Sequence, residues 1–293
     1  MGRTALSLPG GGSKGIFALG YLKAFKELGL DYDEMYTSSV GTLNGTLYHS
    51  DELDKLEDLW LNLRTEDVYR HGIITNLFHL FFKKSLYNSA PLKELIKKNV
   101  NYEKLIANPR KLFINTTNFT TRQPLVREVK TLSKTELIDF AHASASPPVY
   151  FELVKFQGNL LGDSAVSNDY SIVQAAKSGC DVIYVLSPSP EGLLNRSKDP
   201  ETLLEVLGDT LDIATGNYFA REKGCIEKIN ALIDIINVSL EPDFRKIKFV
   251  VISPDKDPGI ELLDFNYKQD RKVMIREAYE YAKDILKNDS NQG

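Results

Sequence analysis

The sequence holds only four histidines, His49, His71, His79 and His142, and none follows His142 in a chain of 293 residues. A serine hydrolase of the α/β-hydrolase order carries its histidine late, after the serine and the acid. That base is missing here, and no metal centre is expected. Cysteine is as scarce: Cys180 and Cys225 build neither a disulfide framework nor a C-x-x-C metal knuckle. There is no basic surplus either. Lys plus Arg is 36 against 40 Asp plus Glu, a net charge of −4, so no nucleic-acid partner is expected. No apolar run reaches the ~18 residues of a membrane span. The apolar stretch after Met1 breaks at Pro9, too early for the core of a signal peptide. These absences lead us to expect a cytoplasmic protein, at most peripheral at a membrane.

Hydrophobic residues make up 42% and charged residues 26%, ordinary globular usage that supplies a core. Strand-like and helix-like patterns alternate along the chain. Strands are expected at Thr4–Leu8, Met35–Ser38, Lys111–Thr117, Leu125–Lys130, Val149–Phe156, Asp181–Leu186 and Lys248–Ile252. Helices are expected at Gly15–Leu28, Val40–His49, Asp51–Leu63, from Ser133 to about Ala143, and at Ser171–Ser178. The Ser133-Lys134-Thr135-Glu136 capping box opens the fourth of these. Asp199-Pro200 reads as the start of a helix to about Asn217, with a second helix to about Val238 and a closing one over Tyr267–Lys287. Such alternation predicts a three-layer α/β/α fold with a largely parallel central sheet. With no linker in view, residues 1–293 read as one domain.

Two turns stand out chemically. Gly10-Gly11-Gly12-Ser13-Lys14-Gly15 joins the first strand to the first helix. Consecutive backbone N–H groups at a helix start hold negative charge, whatever its source. Gly10-x-Gly12-x-x-Gly15, with Asp33 18 residues further on, also matches a dinucleotide fingerprint. A Walker A loop is excluded, because Ile16 stands where lysine is required. The second turn, Thr37-Ser38-Ser39-Val40-Gly41, lies between a strand and a helix, the setting of a nucleophile elbow. If Ser39 is a nucleophile it needs a base. With no late histidine, a carboxylate must serve, held close and partly desolvated.

Four segments in order resemble the patatin-like phospholipase family. They are Gly10–Gly15 (G-G-G-x-[RK]-G), Ser39–Asn44 (S-x-G-[AST]-x-[ND]), Ala143–Phe151 (A-S-x-A-x-P-x-x-F) and Gly162-Asp163-Ser164-Ala165 with Asn168 (D-G-[GA]-x-x-x-N). The blocks span about residues 4–190. The resemblance implies a calcium-independent lipid acyl hydrolase without cofactor, using a Ser–Asp dyad of Ser39 and Asp163. It implies an oxyanion hole at Gly10, Gly11 and Gly12, with Lys14, Gly15 and Gly41 in support. The substrate would be a phospholipid, a lysophospholipid or another acyl ester. Two positions depart from the pattern: Thr37 replaces the first elbow glycine and Ser164 replaces the glycine after the aspartate. A β-branched side chain crowds a turn, and a serine forced to positive φ is strained. They motivate the alternative of a weak or inactive lipid-binding relative. A dinucleotide-binding protein is the remaining alternative.

The apolar, aromatic segment Gly72–Lys84 suggests a lid-like insertion over about 65–90 that touches membrane surfaces transiently. Helical elaboration and a final strand and helix are expected over about 199–287.

Overall fold

The computed structural model describes residues 2–71, 85–190, 199–236, 246–256 and 258–290. β1 (Arg3–Leu8) passes through a 3₁₀ turn (Gly12–Lys14) into α1 (Gly15–Glu27). β2 (Glu34–Ser38) leads into α2 (Val40–His49), then α3 (Leu53–Asn62), α4 (Thr65–Val68) and the two-residue strands β3 (Arg70–His71) and β4 (Tyr87–Asn88). Next come α5 (Ala90–Asn99), α6 (Tyr102–Ala107), β5 (Lys111–Asn118), β6 (Gln123–Glu128) and α7 (Lys134–Ser144). The hairpin β7 (Val154–Phe156) and β8 (Asn159–Gly162) precedes α8 (Ile172–Lys177), β9 (Cys180–Leu186), α9 (Leu203–Ile236), β10 (Lys248–Ile252) and α10 (Arg271–Ser290).

The main sheet runs β10-β9-β1-β2-β5-β8-β7, with β6 also on β5. The five strands from β10 to β5 are parallel; β6 and β8 run antiparallel to β5, and β7 to β8. Strand periodicity sorts side chains to two faces. Leu6, Leu8, Tyr184, Leu186, Val250 and Ile252 join the core that includes α1, α2 and α10. Ala5, Ile183 and Val185 face a second core, where Ile172 and Ala175 of α8 meet Phe219 and Ile226 of α9. The expected three-layer α/β/α fold with a largely parallel sheet is therefore the fold observed.

Four local expectations change. The two helices between Asp199 and Val238 are one, α9, because Leu211, Thr215, Phe219, Glu222 and Ile226 keep a helical stripe across Gly216-Asn217. Burial of Phe219 and Ile226 outweighs the roughly 1 kcal/mol that an interior glycine costs. The start also moves, to a Thr202–Glu205 cap: Glu205 N–H donates to Thr202 Oγ1, and Thr202 N–H to Glu205 Oε2. The strand expected at Val149 begins only at Val154, since Val149 has φ 74°. The closing helix starts at Arg271, where Asp270 Oδ1 caps Lys272 and Val273 N–H. The second strand of the hairpin, β8, reached through a turn on Gln157 and Gly158 at positive φ, had no counterpart in the expectations.

Of the lid-like insertion, only the flanks are described: α4 and the β3–β4 pair. Gly72–Lys84 itself lies outside the described residues. Among the described residues no helix is long and apolar enough to cross a membrane.

Candidate active site

The sheet brings Ser39 and Asp163 together from 124 positions apart. β2 pairs along β5 from Glu34 opposite Lys111 to Ser38 opposite Asn115, and there it stops. β6 covers the other edge of β5. β8 then takes up the edge that β2 vacates, Gly162 opposite Thr117 and Leu161 opposite Asn118. Running antiparallel, β8 points at the end of β2. The residue after β2 is Ser39 and the residue after β8 is Asp163, so the two meet at the level of Thr116.

Each arm of this junction is pinned. Ser39 has φ 50° and ψ −128°, a sharp strand-to-helix turn at the N-cap of α2. Such a conformation costs a non-glycine residue about 1–3 kcal/mol and persists only where surroundings hold it. Its N–H donates to Ser144 Oγ at 3.0 Å, and Ser144 donates to the Asn115 carbonyl at 2.7 Å. Gly41 admits α2 to the end of β1, since a Cβ there would lie 2.1 Å from the Leu8 carbonyl oxygen. On the other arm, Asp163 N–H donates to the Ser146 carbonyl at 3.0 Å and Thr117 Oγ1 donates to the Asp163 carbonyl at 2.8 Å. The Asp163 carboxylate accepts from Ala165 N–H at 2.9 Å, and the neighbouring Ser39 hydroxyl also favours its charged form. Burial and the neighbouring Asp169 push its pKa up to about 7, against the pull of these two groups.

The glycine loop faces this pair, and its donors divide. Gly10 N–H is already bound to Asp169 Oδ2 at 2.9 Å. A Cβ on Gly10 would lie 2.9 Å from that of Ser39, so only glycine lets loop and elbow approach this closely. Ser13 N–H is tied to the Leu262 carbonyl and Lys14 N–H to that of Gly11. For the N–H groups of Gly11 and Gly12, of which Gly12 has φ 54°, there is no hydrogen-bond partner among the described residues. Gly15 serves packing: a Cβ there would press on Val40 and Trp60. Lys14 is buried with its ammonium 3.4 Å from Asp212 Oδ2, so its charge is answered within the protein. Asn44 of the elbow segment accepts from Trp60 Nε1 and donates to the Gly15 carbonyl, fastening α2 to α1.

Both departures from the family pattern sit without strain. Thr37 is extended within β2, its methyl occupies the space left by Gly45, and its hydroxyl donates to the Phe113 carbonyl. Ser164 is not among the residues at positive φ, and its hydroxyl donates to Asp169 Oδ1 at 3.3 Å. His142 is buried, lowered to about 4 by burial, and hydrogen-bonded to Ser89 instead of Ser39. Asp33 lies just before β2 and binds Thr4 N–H at the start of β1, the end of the sheet opposite the glycine loop. It therefore has no access to a ribose held by that loop, which removes the dinucleotide alternative. Sequence reading missed Ser144, Asn115 and Asp169 as parts of the site. The first lies in the third family-like block and the last directly follows Asn168 of the fourth, but nothing in their spacing says what they touch.

A pocket with about 1010 Å³ of empty space, part of it open to solvent, has Ser39, Asp163 and Gly10–Gly12 in its wall. Its wall also includes Leu43 and Thr46 of α2 and the apolar side chains Leu92, Ile96 and Ala141 of α5 and α7. Among the described residues, its charged side chains are Asp163, Asp169 and Asp212, all acids. Among the described residues no group of three or more His, Cys, Asp or Glu is arranged to hold a metal ion.

Two solved structures are similar to the chain, each with a TM-score of 0.47. VipD from Legionella pneumophila is 11% identical, the match covering 98% of this chain and 67% of VipD. The type III effector protein ExoU is 14% identical, the match covering 98% of this chain and 53% of ExoU. A search of curated proteins gives no match. The family model described as patatin-like phospholipase matches residues 6–176. That span is more than half the chain and holds the glycine loop, the elbow and the Asp163 turn, and on it the chain belongs to the patatin-like phospholipase family.

Proposed function

We propose that this protein is a calcium-independent lipid acyl hydrolase of the phospholipase A or lysophospholipase type, with Ser39 as nucleophile and Asp163 as base. The observation that carries the proposal is a strained serine beside a desolvated carboxylate in the wall of one largely apolar pocket. Ser39 Oγ attacks the ester carbonyl while its proton passes to Asp163. A base poised near 7 suits proton transfer at neutral pH. The tetrahedral oxyanion is received by Gly11 and Gly12 N–H, with Gly10 shaping the loop from behind. Donors already aimed at the developing charge need no reorganisation, and each is worth roughly 10²–10³ in rate. Asp163 returns the proton to the leaving alcohol, and water then cleaves the acyl-enzyme with Asp163 again as base.

The acyl chain fits against the apolar part of this wall at α2. An all-acidic set of charged groups in the lining favours neutral or zwitterionic esters over anionic ones. Thr46 lies two turns below Ser39, roughly 10 Å along the helix. Thr46→Phe is expected to block the pocket there. Turnover of a butyrate ester should persist while that of a palmitoyl ester falls about tenfold or more. Equal loss on both would place the chain elsewhere.

The direct test is labelling with a fluorophosphonate, followed by peptide mass spectrometry and assays on short esters and lysophospholipids. A single adduct on Ser39 with ester turnover is the expected result. No adduct and no turnover would refute the assignment.

A further inference from the structure

Asp169 is a second buried carboxylate in the site, 2% exposed, and the mechanism above does not use it. Its Oδ2 accepts from Gly10 N–H at 2.9 Å and its Oδ1 from Ser164 Oγ at 3.3 Å. Its own carbonyl accepts from Ser38 Oγ at 2.6 Å, one residue before the nucleophile. One residue thus touches all three pieces of the site: the glycine loop, the Asp163 turn and the end of β2. Burying an acid is costly, and burying it beside another acid costs more.

We propose that Asp169 is a positioning residue for the chemistry at Ser39, one carboxylate oxygen holding the glycine loop and the other the turn that carries Asp163, with its charge acting on Asp163. This role rests on Ser39 and Asp163 reacting as proposed above. The two acids titrate as a pair. Asp169 is pushed up to about 6 by burial, and its charge is the second cause, after burial, of the rise at Asp163. The groups facing the pair supply little relief. The glycine loop offers Gly10 N–H, β2 and its end offer the Ser38 and Ser39 hydroxyls, and the turn after β8 offers Ser164 Oγ and Ala165 N–H. From α9 come Glu222, pushed up to about 7 by burial while accepting from Ile172 N–H, and Asp212, which is paired with Lys14. The charge that surrounds Asp163 is thus mainly negative, and Asp169 is the charged group that acts on it.

The test is the pH dependence of kcat/KM on a short ester, between about pH 5 and pH 9, for wild type, Asp169→Asn and Asp169→Ala. Asparagine keeps an acceptor for Gly10 N–H and removes the charge. Its acid limb is expected to move down by about one unit or more, with plateau kcat within about tenfold of wild type. Alanine also releases the loop, and kcat should fall roughly 100-fold with KM for the short ester nearly unchanged. An Asp169→Asn profile that superimposes on wild type overturns the proposal. Should both variants fail to fold, carbon NMR of wild type labelled at its aspartate carboxyls decides. Two coupled resonances titrating between about pH 5 and pH 8 are expected, and none titrating above about pH 5 overturns it. If the wild type neither takes a fluorophosphonate at Ser39 nor cleaves esters, the hydrolase assignment itself has failed; if it does both, only the role of Asp169 is at stake.

Discussion

Ser39→Ala and Ser39→Gly are both expected to abolish ester hydrolysis, yet the glycine variant should be the more stable of the two. Loss of the attacking oxygen removes the covalent route altogether. A fall on the order of 10⁶-fold in kcat is the scale for a nucleophile of this kind. The stability difference has a separate origin. At φ 50° and ψ −128° the residue occupies backbone space that suits glycine and strains any residue with a Cβ. Both variants lose the same hydroxyl beside Asp163, so their comparison isolates the backbone. The glycine variant should exceed the alanine variant by about 1–2 kcal/mol in denaturant unfolding. In an unstrained helical position the order would be reversed by a similar amount. Alanine proving the more stable would mean that the elbow is not held in the conformation described.

Asp163→Asn is expected to lower kcat/KM roughly 10²–10⁴-fold, the share of a positioned general base, and to stabilise the protein at alkaline pH. Asparagine keeps a carbonyl oxygen for Ala165 N–H but cannot take the serine proton. The stability effect follows from the raised pKa. In the unfolded chain the carboxyl titrates near its ordinary value of 3.8, whereas in the folded protein it titrates at about 7. Below about pH 4 it is protonated in both states and costs nothing. As pH rises from about 4 to 7 the unfolded chain releases the proton while the folded one must keep it, so folding stability falls. Above 7 the full penalty, on the order of a few kcal/mol, is in place. The variant should therefore melt above wild type at pH 8, with the gap closing toward pH 4. A gap independent of pH would show that Asp163 is not the group paying for burial. Both variants exchange activity for stability, as expected where a site stores strain and buried charge.

Much of this was legible in the residues. The alternation of Leu6, Leu8 and Ala5 in β1, or of Tyr184, Leu186 and Ile183 in β9, is what sends helices to both faces of the sheet. The glycine loop and the elbow each announced a strand-to-helix turn through local chemistry. What stayed hidden depends on contacts far apart in sequence. No spacing says that β8 fills the edge of β5 above β2, and without that fact Ser39 and Asp163 are unconnected. Gly216-Asn217 read as a helix boundary because the packing of Phe219 and Ile226, which overrides it, belongs to the tertiary structure. Asp169 was silent for the same reason: its meaning lies in Gly10 and Ser164. Nor does the glycine run itself say that Gly10 N–H is already bound to Asp169.

The place where β2 and β8 abut is a seam between two unequal partners. β2 is bonded along its whole length, to β1 on one side and β5 on the other. β8 reaches β5 through two residue pairs, and beyond it stands only β7, the end of the sheet. Ser39 thus follows a strand bonded on both sides, whereas Asp163 follows a strand near the end of the sheet. A small outward swing of the β7–β8 hairpin would carry Asp163 away from Ser39 while leaving the parallel sheet whole.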